Sequence, residues 1–381
     1  MKLRTLLVVS ILFVLASCKR NEYQQKILGD WKLVSLNIKD SGRVRVLQDS
    51  NIRPYLYNSG GYAFLQDNVC ENRSGYVNFQ KEKQYLGTRT KYKLDGDSVS
   101  IFNPANNSWQ GFRILNIDHD TMYIKKAPWP NDTEYISSKY VKRHSKPDHQ
   151  FEFDEVIISD NGGWSPGRNI LIRKDGTVIY HKYSSKSMGI YKSKISIDQF
   201  SEIQRAFSMA DVLNLKNEYH DNSADTPNSS ITFIKDGKII KTINDHDGSA
   251  PFDLIWAYKP LEYLYQDIKL DLIEKNAEKP IFASFGFQHG NQYGNMGMAN
   301  EFYLLSLIWN AKQTKQSFVK RFDIRSVPYY AYRASKMETD GRFYKVFWKQ
   351  GGSTTYDIGF NFIDVNKKFI EFETWNPKSY Q

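Results

Sequence analysis

Cysteine is nearly missing from this chain: Cys18 and Cys70 are the only two among 381 residues. They allow one bridge at most, so a small fold stapled by several disulfides is excluded. A long apolar run is missing as well. The amino-terminal stretch Leu6 to Ser17 holds 12 residues, about 18 Å as a helix, where a membrane span needs roughly 20 residues. No basic block occurs beyond pairs such as Lys142-Arg143, although the net charge is +10. Nucleic-acid binding needs positive charge gathered on one face or helix, so no nucleic-acid partner is expected. P-loop, dinucleotide and H-E-x-x-H patterns are all absent, which removes the common signatures for those chemistries.

Aromatic residues are abundant, at 15% with 25 Tyr, 23 Phe and 8 Trp. Apolar, β-prone runs bounded by Gly, Asn and Asp point to β-dominated architecture. The length exceeds what one core usually supports, so two or three domains are expected.

Lys2 and Arg4 precede the apolar run, and the pattern reads as an export signal over residues 1–17. Its end, Leu15-Ala16-Ser17-Cys18, resembles the bacterial lipobox. The resemblance implies cleavage before Cys18, a diacylglycerol thioether on its sulfur and an acylated new amino terminus. Two or more buried chains anchor stably, so the membrane becomes the expected partner and residues 18–26 a lipidated tether. A thioether at Cys18 rules out a disulfide with Cys70, which then reads as a small packed residue. Loss of Lys2 and Arg4 lowers the net charge from +10 to +8. No Asp follows Cys18, which favours the outer membrane and leaves the leaflet open.

The next stretch, "ILGDWKLVSLNI", carries Gly29 and Trp31. Strand-like runs follow to "SKYVKR", with hairpin chemistry at Asp95-Gly96 and Asp118-His119-Asp120. About eight strands in this length match a small barrel. The G-x-W opening resembles that of lipocalin-like barrels over residues 27–145; the resemblance implies a packing role for Trp31 and an interior that holds a small apolar ligand or only side chains.

Beyond the polar boundary "RHSKPDHQ", residues 150–272 read β-β-β-α-β-β-α. Ser196 to Gln199 has capping-box spacing before Phe200, Ile203 and Phe207, and Pro260 breaks a second helical stretch. The pattern resembles a domain of unknown function common in Bacteroidota lipoproteins. That family carries a Cys-Gly-x-Cys-Pro-like loop; here "SDNGGWSPGRNI" keeps Gly163, Ser165 and Pro166 without cysteine, so no thiol role is expected there. Residues 274–381 read as one helix and four or five strands, a separate domain or an extension of the second core. The expected fold class is thus mainly β or α+β: a lipocalin-like antiparallel barrel followed by α+β modules with antiparallel sheets.

Candidate sites are sparse. His220, Asp221 and Asp225 flank one side of a hairpin, and Asp245, His246 and Asp247 flank the other. Together they form a candidate hard-cation site, or only turn chemistry. Trp109, Trp129 and Trp164 lie in Pro/Asn/Gly-rich stretches and are candidates for stacking on glycans or anchoring a protein partner. Ser317-x-x-Lys320 and Ser159-Asp160-Asn161 occur in the reverse of the order used by penicillin-interacting enzymes. No catalytic residue and no cofactor are expected. The function expected is a non-enzymatic binding or scaffolding lipoprotein of the cell envelope. The alternatives are glycan or small apolar ligand capture for uptake, and an envelope hydrolase.

Overall fold

The computed structural model describes residues 23–40, 43–48, 60–78, 84–126, 136–144, 151–161, 167–183, 188–220, 228–273, 281–282, 285–326, 331–332 and 334–374. The chain is mostly β and divides into two compact units, residues 1–148 with 251–266, and 149–250 with 267–381.

The first unit is a closed antiparallel barrel. Its strands are β1 (Gly29–Asp40), β2 (Arg43–Gln48), β3 (Gly61–Phe64), β4 (Val69–Asn72), β7 (Arg89–Asp95), β8 (Ser98–Asn103), β9 (Ser108–Ile117), β10 (Thr121–Lys126) and β11 (Ile136–Lys142). The short strands β5 (Val77–Asn78) and β6 (Gln84–Tyr85) pair separately. Eight strands run β1-β3-β4-β7-β8-β9-β10-β11, and β11 pairs back with β1, while β2 extends the far half of β1. Closure removes the free edges that an open sheet would present.

Period-2 alternation decides which side chains enter the barrel. Along β7, Arg89, Lys91, Lys93 and Asp95 face outward while Tyr92 is buried. Tyr62, Phe64, Tyr92, Phe112, Met122 and Tyr140 fill the interior, with Phe64 and Tyr92 edge-to-face at 5.1 Å. Trp31 is wholly buried at one end, and its indole donates to the Ile27 carbonyl at 2.7 Å.

Residues 251–266, which the sequence pattern places in the 150–272 segment, pack with the barrel instead. The helix Phe252–Tyr258 passes into 3-10 turns over Lys259–Gln266, where Pro260 removes an amide donor. Asp253 pairs with Lys32 and, at 2.7 Å, with Arg143, which also holds Asp30 at 2.9 Å. Tyr263 stacks on Tyr85 at 5.0 Å. A Cβ on Gly60 would run into the Phe252 ring, so glycine at this position lets the segment seat.

The second unit is built on a sheet of β12 (Glu155–Asn161), β13 (Gly167–Arg173), β14 (Thr177–Tyr183), β15 (Met188–Lys194), β16 (Glu218–Tyr219), β17 (Asn228–Lys235), β18 (Lys238–His246) and β19 (Asp271–Leu272). Its order is β16-β18-β17-β12-β13-β14-β15-β19, antiparallel except for β16 beside β18. The helix Ile197–Met209 opens on a capping box: Ser196 Oγ accepts from Gln199 N, and Gln199 Oε1 accepts from Ser196 N. It buries Phe200, Ile203 and Phe207, each worth about 1.5–3 kcal/mol, against Phe153 and Phe233 on one sheet face.

The helix Met298–Asn310 covers the other face. Ten of its side chains are buried, including Phe302, Leu304, Leu305 and Ile308, as expected of a helix enclosed on all sides. It shares one core with Ile157, Leu171 and Ile234 of the first sheet and with Phe287, Ile324, Met337 and Val346 of a second. That second sheet orders Lys312–Thr314, Ser353–Asp357, Phe343–Trp348, Ala334–Thr339, Phe322–Ser326, Phe285–His289, Gln292–Asn295 and Glu371–Thr374. Residues 274–381 therefore supply half of a shared core. The strand expected from Phe318 starts only at Phe322.

Candidate functional site

Strand register assembles a polar row on the face beneath the central helix. His181 pairs with Asn169, Asn169 with Ser159, Ser159 with Ser230, Ser230 with Asn244, and Asn244 with Glu218. The row runs from the wholly buried His181 and Ser159 to the exposed Glu218. Asn169 Nδ2 lies 3.1 Å from Nδ1 of His181, whose ring stacks on Phe302 at 5.7 Å. Burial pushes the His181 pKa down to about 3. Ser159 Oγ has no hydrogen-bond partner among the described residues. One residue along the strand, Asp160 forms a buried ion pair with Arg168.

The next row ends in a histidine pair. Parallel pairing of Glu218 with Asn244 and Tyr219 with Asp245 brings His220 beside His246, their rings stacked with centroids 4.1 Å apart. Glu218, two residues before His220, falls on the same face. Its Oε1 lies 2.8 Å from Nε2 of His220 and 3.8 Å from Nε2 of His246. Asn228 stands directly across from His246 on β17.

Of the cation set read from the sequence, His220 and His246 lie in this cluster. Asp245 does not join it: strand alternation sends it to the opposite face, where it is wholly buried and accepts the Ala250 amide at 2.7 Å. Asp247 sits in a turn with φ 54°. Asp221 and Asp225 lie outside the described residues, as do Cys18, Trp129, Trp164 and the loop carrying Gly163, Ser165 and Pro166. Trp109 belongs to β9 and not to a loop; it is 43% exposed, with Lys93 Nζ 4.1 Å from its ring centroid. The sequence sets His246 in the acidic cluster across the hairpin from His220, but nothing in it marks Glu218 as their partner, because only the parallel pairing of β16 and β18 makes the three neighbours.

Other reactive groups are enclosed or dispersed. Cys70 is a free thiol, wholly buried in β4, and burial drives its pKa far upward. Ser317 lies exposed between strands, whereas Ser159 is buried in mid-strand. On the barrel, Asp120 accepts His119 and His144 at 2.8 Å each, all three exposed. Between Tyr62, Asn72, Phe112 and Lys126 there is a hollow of about 10 Å³, room for a single water.

Residues 162–265 match a domain of unknown function, DUF6438. A crystal structure of an uncharacterized protein from Bacteroides eggerthii DSM 20697 is similar at 15% identity and a TM-score of 0.19, covering 30% of this chain and 98% of that one. No curated protein matches the chain.

Proposed function

We propose that this protein is a cell-envelope lipoprotein held to the outer membrane by lipid on Cys18, with a non-enzymatic binding or scaffolding role. The observation that carries the reading is the polarity of the barrel. Its interior is aromatic and the outward positions of β7 are mostly charged, unlike a membrane-spanning barrel, which needs an apolar outer band. Strands of four residues, such as β3 and β4, also fall short of the roughly 9–11 residues that cross a bilayer. Such a barrel belongs in water, and attachment then rests on Leu15-Ala16-Ser17-Cys18. The filled interior supports a lipocalin-like barrel used as a platform over one used to carry an apolar ligand.

The test is metabolic labelling with an alkyne fatty acid, followed by alkaline extraction of membranes, for the wild type and Cys18→Ala. The wild type is expected to take label and stay in the pellet, and the variant to lose both. A variant that remains in the extracted pellet, or a wild type without label, overturns the reading.

A further inference from the structure

We infer that Glu218, His220 and His246 form a binding site for a divalent transition-metal ion of the Zn²⁺ class. The three donor atoms lie within 4.8 Å of one another. Ligands at about 2.0–2.1 Å in tetrahedral geometry stand about 3.3 Å apart, and the two measured nitrogen–oxygen separations, 2.8 and 3.8 Å, bracket that spacing. Both imidazoles present Nε2 to one carboxylate oxygen, so small side-chain rotations centre an ion among them.

The chemistry of the donors selects the ion. Two imidazoles and one carboxylate suit Zn²⁺, Ni²⁺ or Cu²⁺, whereas Ca²⁺ and Mg²⁺ prefer all-oxygen sets. This departs from the oxygen-rich site that the aspartates of the sequence imply. Backbone pairing preorganises the set, since β16 and β18 hold the two histidines side by side. Asn228 Oδ1, buried and without a hydrogen-bond partner among the described residues, adds an acceptor on the same face, opposite His246.

Three protein ligands leave one position for water, and Glu218 and His220 are 55% and 54% exposed. A site of that form exchanges its ion with solution, unlike the closed four-ligand sites that hold folds together. An ion here would also tie β16, a two-residue edge strand, to its neighbour.

The test uses the full chain, stripped with chelator and titrated with Zn²⁺ against a competing indicator, with Ca²⁺ and Mg²⁺ as comparisons. One Zn²⁺ per chain is expected, undisturbed by excess Ca²⁺. His246→Ala and His220→Ala are each expected to weaken binding by at least about 100-fold, beyond the roughly 10- to 100-fold that loss of an outer supporting partner costs. Glu218→Gln keeps side-chain shape and is expected to weaken it too, and thermal melts report whether each variant is folded. His119→Ala/His144→Ala, on the barrel, is expected to leave binding unchanged. Binding that survives His220→Ala/His246→Ala, that is lost in the barrel double variant, or that never appears with Zn²⁺, Ni²⁺ or Cu²⁺ overturns the assignment.

Discussion

Asn169 and His181 face each other across β13 and β14, with the Asn169 amide nitrogen 3.1 Å from Nδ1 of His181. The contact joins two buried side chains, with its direction set by the His181 tautomer. His181 is wholly buried, and burial lowers its pKa from 6.5 to about 3. Above pH 6.5 it is neutral in folded and unfolded chains alike. Below that value the unfolded chain takes a proton that the folded chain refuses, so stability falls with pH down to about 3. The expected loss is roughly 2–3 kcal/mol between pH 6.5 and 4.5. Asp154 and Asp357, whose pKa values lie below 3.8 through their bonds to Lys174 and Arg342, contribute at lower pH. Urea midpoints across this range should flatten in His181→Gln; an unchanged slope refutes the account.

The central helix is keyed to its sheet by Asn300, whose Oδ1 accepts from Thr232 Oγ1 at 2.6 Å and Thr242 Oγ1 at 2.9 Å. All three residues are buried. Asn300→Ala leaves two hydroxyls competing for one another and should cost about 1–3 kcal/mol. Equilibrium denaturation measures it, and a loss below about 0.5 kcal/mol, the range of surface substitutions, counts against a structural role.

The strap at residues 251–266 depends on Asp253, which neutralises Lys32 and Arg143. Asp253→Ala leaves two part-buried cations without that carboxylate, and a cost of about 1–3 kcal/mol is expected. Limited proteolysis should show cleavage within 251–266 in the variant before the barrel unfolds. Equal protection in both proteins would show that the aromatic contacts of Phe252 and Tyr263 suffice.

Cys70 should resist alkylation. Its burial disfavours the thiolate, which is the reactive species. Iodoacetamide in mildly alkaline buffer is expected to label it only after denaturant is added, with mass spectrometry as the readout. Rapid labelling of the folded chain would contradict the buried position.

Local features were legible in the sequence because their causes are local. Asp95-Gly96 makes its hairpin through a glycine at φ 60°, and Asp118 accepts the amides of Asp120 and Thr121 in the next turn. The Ser196–Gln199 box forms as its spacing implies. The strap was not legible: "PFDLIWAYKP" shows a helical face, but nothing in its pattern names Gly60 as the surface that accepts Phe252. The sequence sets His220 and His246 in acidic clusters on either side of a hairpin, but their stacking and the part of Glu218 are hidden for the same reason, since both rest on the pairing of β16 with β18.

Alternation of apolar and polar residues, turn chemistry and capping by themselves determined a β-rich chain with an eight-strand barrel ahead of further antiparallel sheet. These are short-range effects, decided within a few residues. Only the tertiary structure decided that residues 274–381 share a core with the middle segment, that 251–266 return to the barrel, and that Glu218, His220 and His246 converge. Each of these depends on which strand pairs with which, and pairing is selected by the burial of whole faces at once.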